Sequence, residues 1–344
     1  MEPPQGTSVN SHKHRRASAR FGAGSPRLIT VTTGHNRWTV RPLRRQLAKI
    51  GIRHDLWTYT QLFSKRRLPR ATYVFTDFDR LMPWHIELAA RIYLRLKDAG
   101  LTVLNDPRQY VPRWAYLRRL HAAGINDFTC WLPMLGEWPD RYPAFLRTVH
   151  AHRSVDSGLL QDEDAARAAL EDALGRGLTL NDLVFVEYAA EPSADGNRYR
   201  KFAAYRIGDR VVRALTVTDD DWVAKMGKKG AASDADYAQD LAEHRDYPRA
   251  DLVATCFDIA GMTYGRIDYG LVGGRPQIYE LNTNPTLVFS RKHPNADRRS
   301  ASDVKLQQFL GAFEALCKPE PGRAVRVGSA VPRYLFHGAR FGQP

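Results

Sequence analysis

The segment RIDYGLVGGRPQIYELNTNP, residues 266–285, restricts the chain's folding more than any other. A glycine pair, Gly273-Gly274, separates two runs in which apolar and polar side chains alternate. Glycine reaches positive φ without steric cost, so the pair closes a β-hairpin. With the turn centred near Gly274, Asp268 and Glu280 lie at equal distance from it and face one another across the strands. Asn282 follows Glu280 by two positions and shares its face. Ile267, Tyr269, Leu271, Tyr279 and Leu281 then take the opposite face and are assigned to a core. Carboxylates at a cross-strand spacing of about 5 Å repel unless protonated, paired with bases or bound to a cation. A hard cation such as Mg²⁺ takes oxygens of this kind and completes its shell with phosphate and water. A solvated hairpin face with Arg266 neutralising one acid is the plainer alternative. The polar strand exit Asn282-Thr283-Asn284-Pro285 favours a ligand site.

At 344 residues the chain has room for two or three domains and a large core. Its 43% hydrophobic and 26% charged residues are ordinary for a soluble globular protein. No apolar run approaches the roughly 18–20 residues that span a bilayer, so no membrane partner is expected. Cys130, Cys256 and Cys317 are odd in number and far apart, against a disulfide framework and for a reducing, cytoplasmic setting. The net charge is +14, and residues 27–70 hold eleven Lys or Arg against one acid, Asp55. Such a surface suits an anionic partner. No nucleic-acid-binding motif accompanies it, so a nucleic acid ranks low among the expected partners.

Residues 1–26 are basic, poor in apolar side chains and expected to be a disordered tail. Strand-like runs at 27–34, 72–78 and 101–106 alternate with helical periodicity at 40–50 and 84–100. That order predicts a mainly parallel α/β domain over residues 27–110. Further runs of mixed helix and strand follow over residues 111–318, with a hairpin around Gly208-Asp209. The polar stretch 223–240 reads as a mobile loop, 249–261 and 302–317 as helices, and 319–344 as an irregular tail.

The hairpin, together with the order of elements over residues 95–290, resembles the ATP-grasp superfamily, in particular glutathione synthetase-like carboxylate-amine ligases. The resemblance implies an α/β fold with an α+β lid: an N-terminal parallel domain, then two α+β subdomains, 111–188 and 189–318, that clamp ATP. It implies that Asp268, Glu280 and Asn282 hold one or two Mg²⁺ ions, with Mn²⁺ as a substitute, and that Arg266 contacts phosphate nearby. Arg113 and Arg147 fall where the family has two phosphate-binding lysines. Glu187, Tyr188 and Ala189 match the strand that meets the adenine edge, and Glu191 is the match for a ribose-binding acid. Arg200 and Lys201 resemble basic residues that reach the phosphates or the acyl group, and with Arg266 form the implied catalytic set. The loop HAHRSVDSG departs from the family's glycine-rich loop, with Gly158 alone. The activity implied is Mg²⁺-dependent activation of a carboxylate as an acyl phosphate, attacked by an amine or another nucleophile. The partners implied are a small-molecule or peptide carboxylate and a nucleophilic acceptor, and a homodimer is allowed for. A small-molecule kinase, a nucleotide binder without turnover and a nucleic-acid binder are the alternatives.

Overall fold

The structure is a computed structural model that describes residues 21–22, 24–150, 155–193, 196, 198–224, 227–289 and 292–328. Most of the basic N-terminal tail and of the C-terminal tail, including the RYLFH segment, lies outside the described residues. The first unit contains strand β1 (Arg27–Thr32), helix α1 (Arg37–Lys49), β2 (Arg53–Thr58), α2 (Tyr59–Phe63), β3 (Arg67–Leu68), β4 (Thr72–Phe75), α3 (Pro83–Asp98) and β5 (Val103–Leu104). Strands β2, β1, β4 and β5 form a parallel four-stranded sheet in that order. A parallel sheet is covered on both faces, and β1 and β4 are buried almost throughout. β2 carries the pattern RHDLWT, whose polar residues hide it from a search for apolar runs.

The second unit comprises α4 (Arg113–Ala122), β6 (Cys130–Trp131), β7 (Ala144–Thr148), α5 (Glu163–Gly175) and β8 (Leu183–Glu187), with an antiparallel sheet ordered β6-β8-β7. Then come β9 (Tyr199–Ile207), β10 (Arg210–Arg213), β11 (Val217–Asp219), α6 (Asp234–Arg245), α7 (Ala250–Ala260), β12 (Tyr264–Val272), β13 (Arg275–Asn282), α8 (Ala296–Leu316) and β14 (Val325–Arg326). The larger antiparallel sheet runs β10-β9-β12-β13, with β11 paired to β9. A parallel sheet and antiparallel sheets with flanking helices make the chain α/β with α+β parts.

Two expectations fail here. Part of the stretch read as a mobile loop is α6: Ser233 and Asp236 form a reciprocal capping box, which stabilises a helix start whose core-facing side is weakly patterned. Part of the tail read as irregular is β14, which pairs antiparallel with β3 and brings Val327 fully into the core. Two-residue strands are too short to show alternation in sequence.

The cores bind the first unit to the larger antiparallel sheet. Ile29, Tyr73 and Phe75 share one hydrophobic cluster with Phe202, Ile267 and Phe257, while Leu28 and Val74 share another with Tyr205, Phe309 and Phe313. Polar bonds fix the same junction. Asn105, in the left-handed region at φ 60, accepts from the Thr263 and Tyr264 amides and donates to the Phe75 and Tyr264 carbonyls. Beyond β13, the Thr283 hydroxyl accepts from the Asp77 amide, and the Thr39 hydroxyl donates to Asn284. The strand exit read as ligand-holding thus spends Thr283 and Asn284 on docking the hairpin to the first unit.

Candidate nucleotide and metal site

The hairpin turns at Gly273 and Gly274, both at positive φ (55° and 76°), with Val272 opposite Arg275. A two-residue turn alone would set Asp268 opposite Tyr279. A β-bulge at this point inserts one residue, so that Tyr269 pairs with Ile278 and Asp268 with Glu280. The facing pair is therefore the one the sequence suggests, reached by a different route. The bulge also turns Tyr279 out of the core, where Ile278 takes the slot at 1% exposure. The Tyr279 hydroxyl instead donates to the Ala189 carbonyl at 2.8 Å.

Between the two antiparallel sheets lies a cleft of about 310 Å³. One end is apolar: Leu117, Phe128, Phe145, Val186 and Trp222, with Tyr188, Ala189 and Ala190 along the rim. Trp222 packs against Phe145 and Tyr188 with ring centroids 5.0 and 5.5 Å away. The other end is charged: Arg113, Arg147, Lys201, Arg266, Asp268 and Glu280. Local periodicity explains who meets whom. Arg113 and Leu117 are one helical turn apart on α4, Phe145 and Arg147 share a face of β7, and Arg266 and Asp268 share a face of β12.

Both carboxylates are held by bases. Arg266 grips Asp268 with two nitrogens at 2.6 and 2.9 Å, and Lys201 stands 3.7 Å away. Arg113 donates to Glu280. Of the conditions that let two facing acids coexist, pairing with bases is met by the chain itself. Burial works against the charge on Arg266, yet Asp268 and Tyr205 hold its pKa above the usual arginine range. Arg147 is the contrary case. Burial first and the neighbouring Arg113 second pull it down to about 9, against the pull of Glu280 and Asp156. One Arg113 nitrogen, Nη1, is buried without a partner. Two arginines crowded together, one with a bonding group unspent, form an anion-binding corner.

Other candidates lie elsewhere or act differently. Asn282 lines an adjoining recess of about 50 Å³ that shares Arg113 with the cleft and also holds Asp79 and Tyr110, and its Oδ1 accepts from the Asn284 amide. Arg200, one position from Lys201, points to the other face of β9 and bonds Gln239 and Asp236 on α6. Glu191 accepts from the Gly273 amide and braces the hairpin turn. Glu187 lines the cleft; burial raises its pKa against the Thr129 amide and Arg141, which hold its carboxylate. The amides of Glu187 and Tyr188 already donate to the Thr129 and Pro143 carbonyls. Those two donors are therefore already engaged within the protein. Phe128 and Trp222 were missed by sequence reasoning, since neither sits in a periodic run; Phe145 was legible as the residue two before Arg147 on its strand.

No group of three or more His, Cys, Asp or Glu side chains able to hold a metal occurs among the described residues. Asp268 and Glu280 offer two acids on one face, a set that fits a divalent ion drawing its remaining oxygens from phosphate and water. The three cysteines are free and buried, and burial pushes the Cys130 thiol up to about 11. No helix among the described residues is long and apolar enough to cross a membrane.

No family model matches the chain, and no curated protein matches it by sequence. Solved structures do resemble it. D-alanine–D-alanine ligase from Bacillus anthracis is 14% identical, with a TM-score of 0.49, over 85% of this chain and 100% of that one. The ATP-grasp ligase PsnB complexed with minimal precursor is 14% identical, TM-score 0.47, over 82% and 99%. The D-cycloserine synthetase DcsG is 18% identical, TM-score 0.47, over 83% and 99%. Identities this low and TM-scores below 0.5 leave the assignment of the site to its own side chains.

Proposed function

We propose that the chain is an ATP- and Mg²⁺-dependent ligase that activates a carboxylate for attack by an amine or another nucleophile. The observation that carries this reading is the division of one cleft into an aromatic end and a charged end. A planar, apolar-faced base suits Phe145, Trp222 and Val186, and a polyphosphate suits Arg113 and Arg147. Asp268 and Glu280 would hold Mg²⁺ against the phosphates, with Arg113 and Arg266 shifting part of their bonding from these acids to phosphate oxygens. The bound ion would supply charge neutralisation and alignment. Lys201 and Arg266, at the far wall, are placed to neutralise charge on a transferring phosphoryl group.

In the reaction proposed, a substrate carboxylate oxygen bonds to the γ-phosphorus as the bond to the ADP oxygen breaks. The nucleophile then attacks the acyl carbon, releasing phosphate and a proton. A side-chain nucleophile is not required, in keeping with buried, unreactive cysteines.

A second reading is favoured by the ion pairs: with both acids already satisfied by arginine, the cleft could bind nucleotide without metal-dependent turnover. Hydroxylamine separates the readings. With Mg²⁺-ATP and a mixture of carboxylates, the ligase reading expects a hydroxamate formed one-for-one with ADP. Label from γ-phosphate in a stable phosphate ester would point to a kinase, and nucleotide binding with no ADP formed would favour the binder.

A further inference from the structure

Beyond Asp268 a second cavity of about 280 Å³ shares Lys201, Arg266 and Asp268 with the nucleotide cleft and continues to α8. Six cations line it, Lys201, Arg266, Lys292, Arg298, Arg299 and Lys305, against one carboxylate, Asp268. Local pairing offsets only part of this charge. Lys201 and Arg266 share Asp268. Arg298 bonds the buried Asp240 at 2.7 Å and shares it with Arg213, which also pairs with Glu243. Arg299 donates to the His293 and Pro294 carbonyls, each at 2.6 Å.

Lys305 is the least expected member. It is 5% exposed, and its ammonium donates to the Val288 carbonyl at 2.9 Å, with no carboxylate in ion-pair range among the described residues. A charged lysine is almost never fully buried unless paired, and here the wall it faces is cationic. A fold that carries this arrangement is stabilised when an anion enters. The cavity's shared wall also places such an anion beside the phosphate end of the nucleotide cleft.

From this placement we propose that the cavity takes a small substrate bearing two or more carboxylates, one presented at Lys201 and Arg266 and the others held by Lys305, Arg298 and Arg299. The substrate's fate rests on the ligase reading of the adjoining cleft; its charge rests on the cavity alone.

The test uses the whole protein without nucleotide or divalent cation, titrated calorimetrically at constant ionic strength with citrate, acetate and pyrophosphate. Citrate is expected to bind saturably and at least tenfold more tightly than acetate. Lys305→Gln, which removes a buried charge and should fold, and Lys292→Gln, at the exposed mouth, are each expected to weaken citrate at least fivefold. Equal citrate affinity in wild type and both variants would overturn the proposal, and saturable binding of pyrophosphate alone would overturn its carboxylate class. Binding of ATP is measured separately on the same proteins and is expected to be unchanged by Lys305→Gln. Failure of the wild type to bind ATP would remove the nucleotide reading while the citrate comparison still decides the cavity.

Discussion

Replacing Glu280 by glutamine changes one oxygen to nitrogen and removes the charge that Arg113 holds. The two side chains are 12% and 20% exposed, between the surface and buried regimes. Surface pairs contribute about 0–1 kcal/mol and truncation of a buried pair costs about 3–5 kcal/mol, so a loss of about 1–3 kcal/mol is expected here. The loss is aggravated because Glu280 also steadies Arg147, which Arg113 destabilises. At roughly 1–2 °C per kcal/mol for a chain of this length, the unliganded melting temperature should fall by a few degrees. Nucleotide then reverses the order of effects. A ligand at one hundred times its dissociation constant stabilises by about 2.7 kcal/mol. In Glu280→Gln, ATP with EDTA should give at least the wild-type shift, because the triphosphate meets two unpaired arginines. The additional shift on adding Mg²⁺ should vanish. Differential scanning fluorimetry reads all three quantities. A variant that melts at or above wild type and keeps the full Mg²⁺ increment would refute both the pairing and the metal assignment.

Two further outcomes follow from the packing. His54 is buried against Thr30 at 3.0 Å and His244 lies buried on α6; burial pulls their pKa down to about 3 and about 4. Both stay neutral in the fold while the unfolded chain protonates near pH 6.5, so their contribution is complete above that value and is lost as pH falls. Each adds up to about 1.4 kcal/mol per pH unit, and in His54→Gln the slope of stability between pH 6 and 5 should drop by about half; an unchanged slope would show that burial does not hold His54 neutral. Gly270→Ala would place a Cβ 2.0 Å from the Tyr279 hydroxyl, so the ring must leave its bond to Ala189. ATP affinity should fall severalfold with little loss of melting temperature, and unaltered affinity would remove Tyr279 from the cleft's working wall.

What was legible in the sequence was carried by periodicity and by glycine. Strand alternation puts Arg266 and Asp268 on one face and the Gly273-Gly274 turn makes the hairpin, while Glu280 reaches its place opposite Asp268 through the bulge. The same alternation separates Lys201 from Arg200, a consequence that family resemblance alone did not draw. The bulge at Tyr279 was not legible, since nothing in the local sequence marks an extra residue; it moved Tyr279 from core to cleft. Asn282 and Glu191 each accept from a backbone amide close in space, Asn284 and Gly273, and such local bonds depend on loop geometry that the sequence does not display. Helix α6 was hidden by charge, its buried face being built on Asp240 and His244 with Leu241. The cation-lined cavity combines β9, β12 and α8, elements far apart in sequence, and only the fold brings their charges together.

On the proposed reading, one cleft seats a nucleotide with its metal on the β12–β13 hairpin. A crystal structure with Mn²⁺ and a non-hydrolysable ATP analogue, using the anomalous signal of manganese, tests it most directly. The base is expected between Phe145, Val186 and Trp222, the phosphates on Arg113 and Arg147, and manganese within coordination distance of both Asp268 and Glu280. A nucleotide bound elsewhere, or manganese away from both carboxylates while their arginine pairs stay closed, would contradict it.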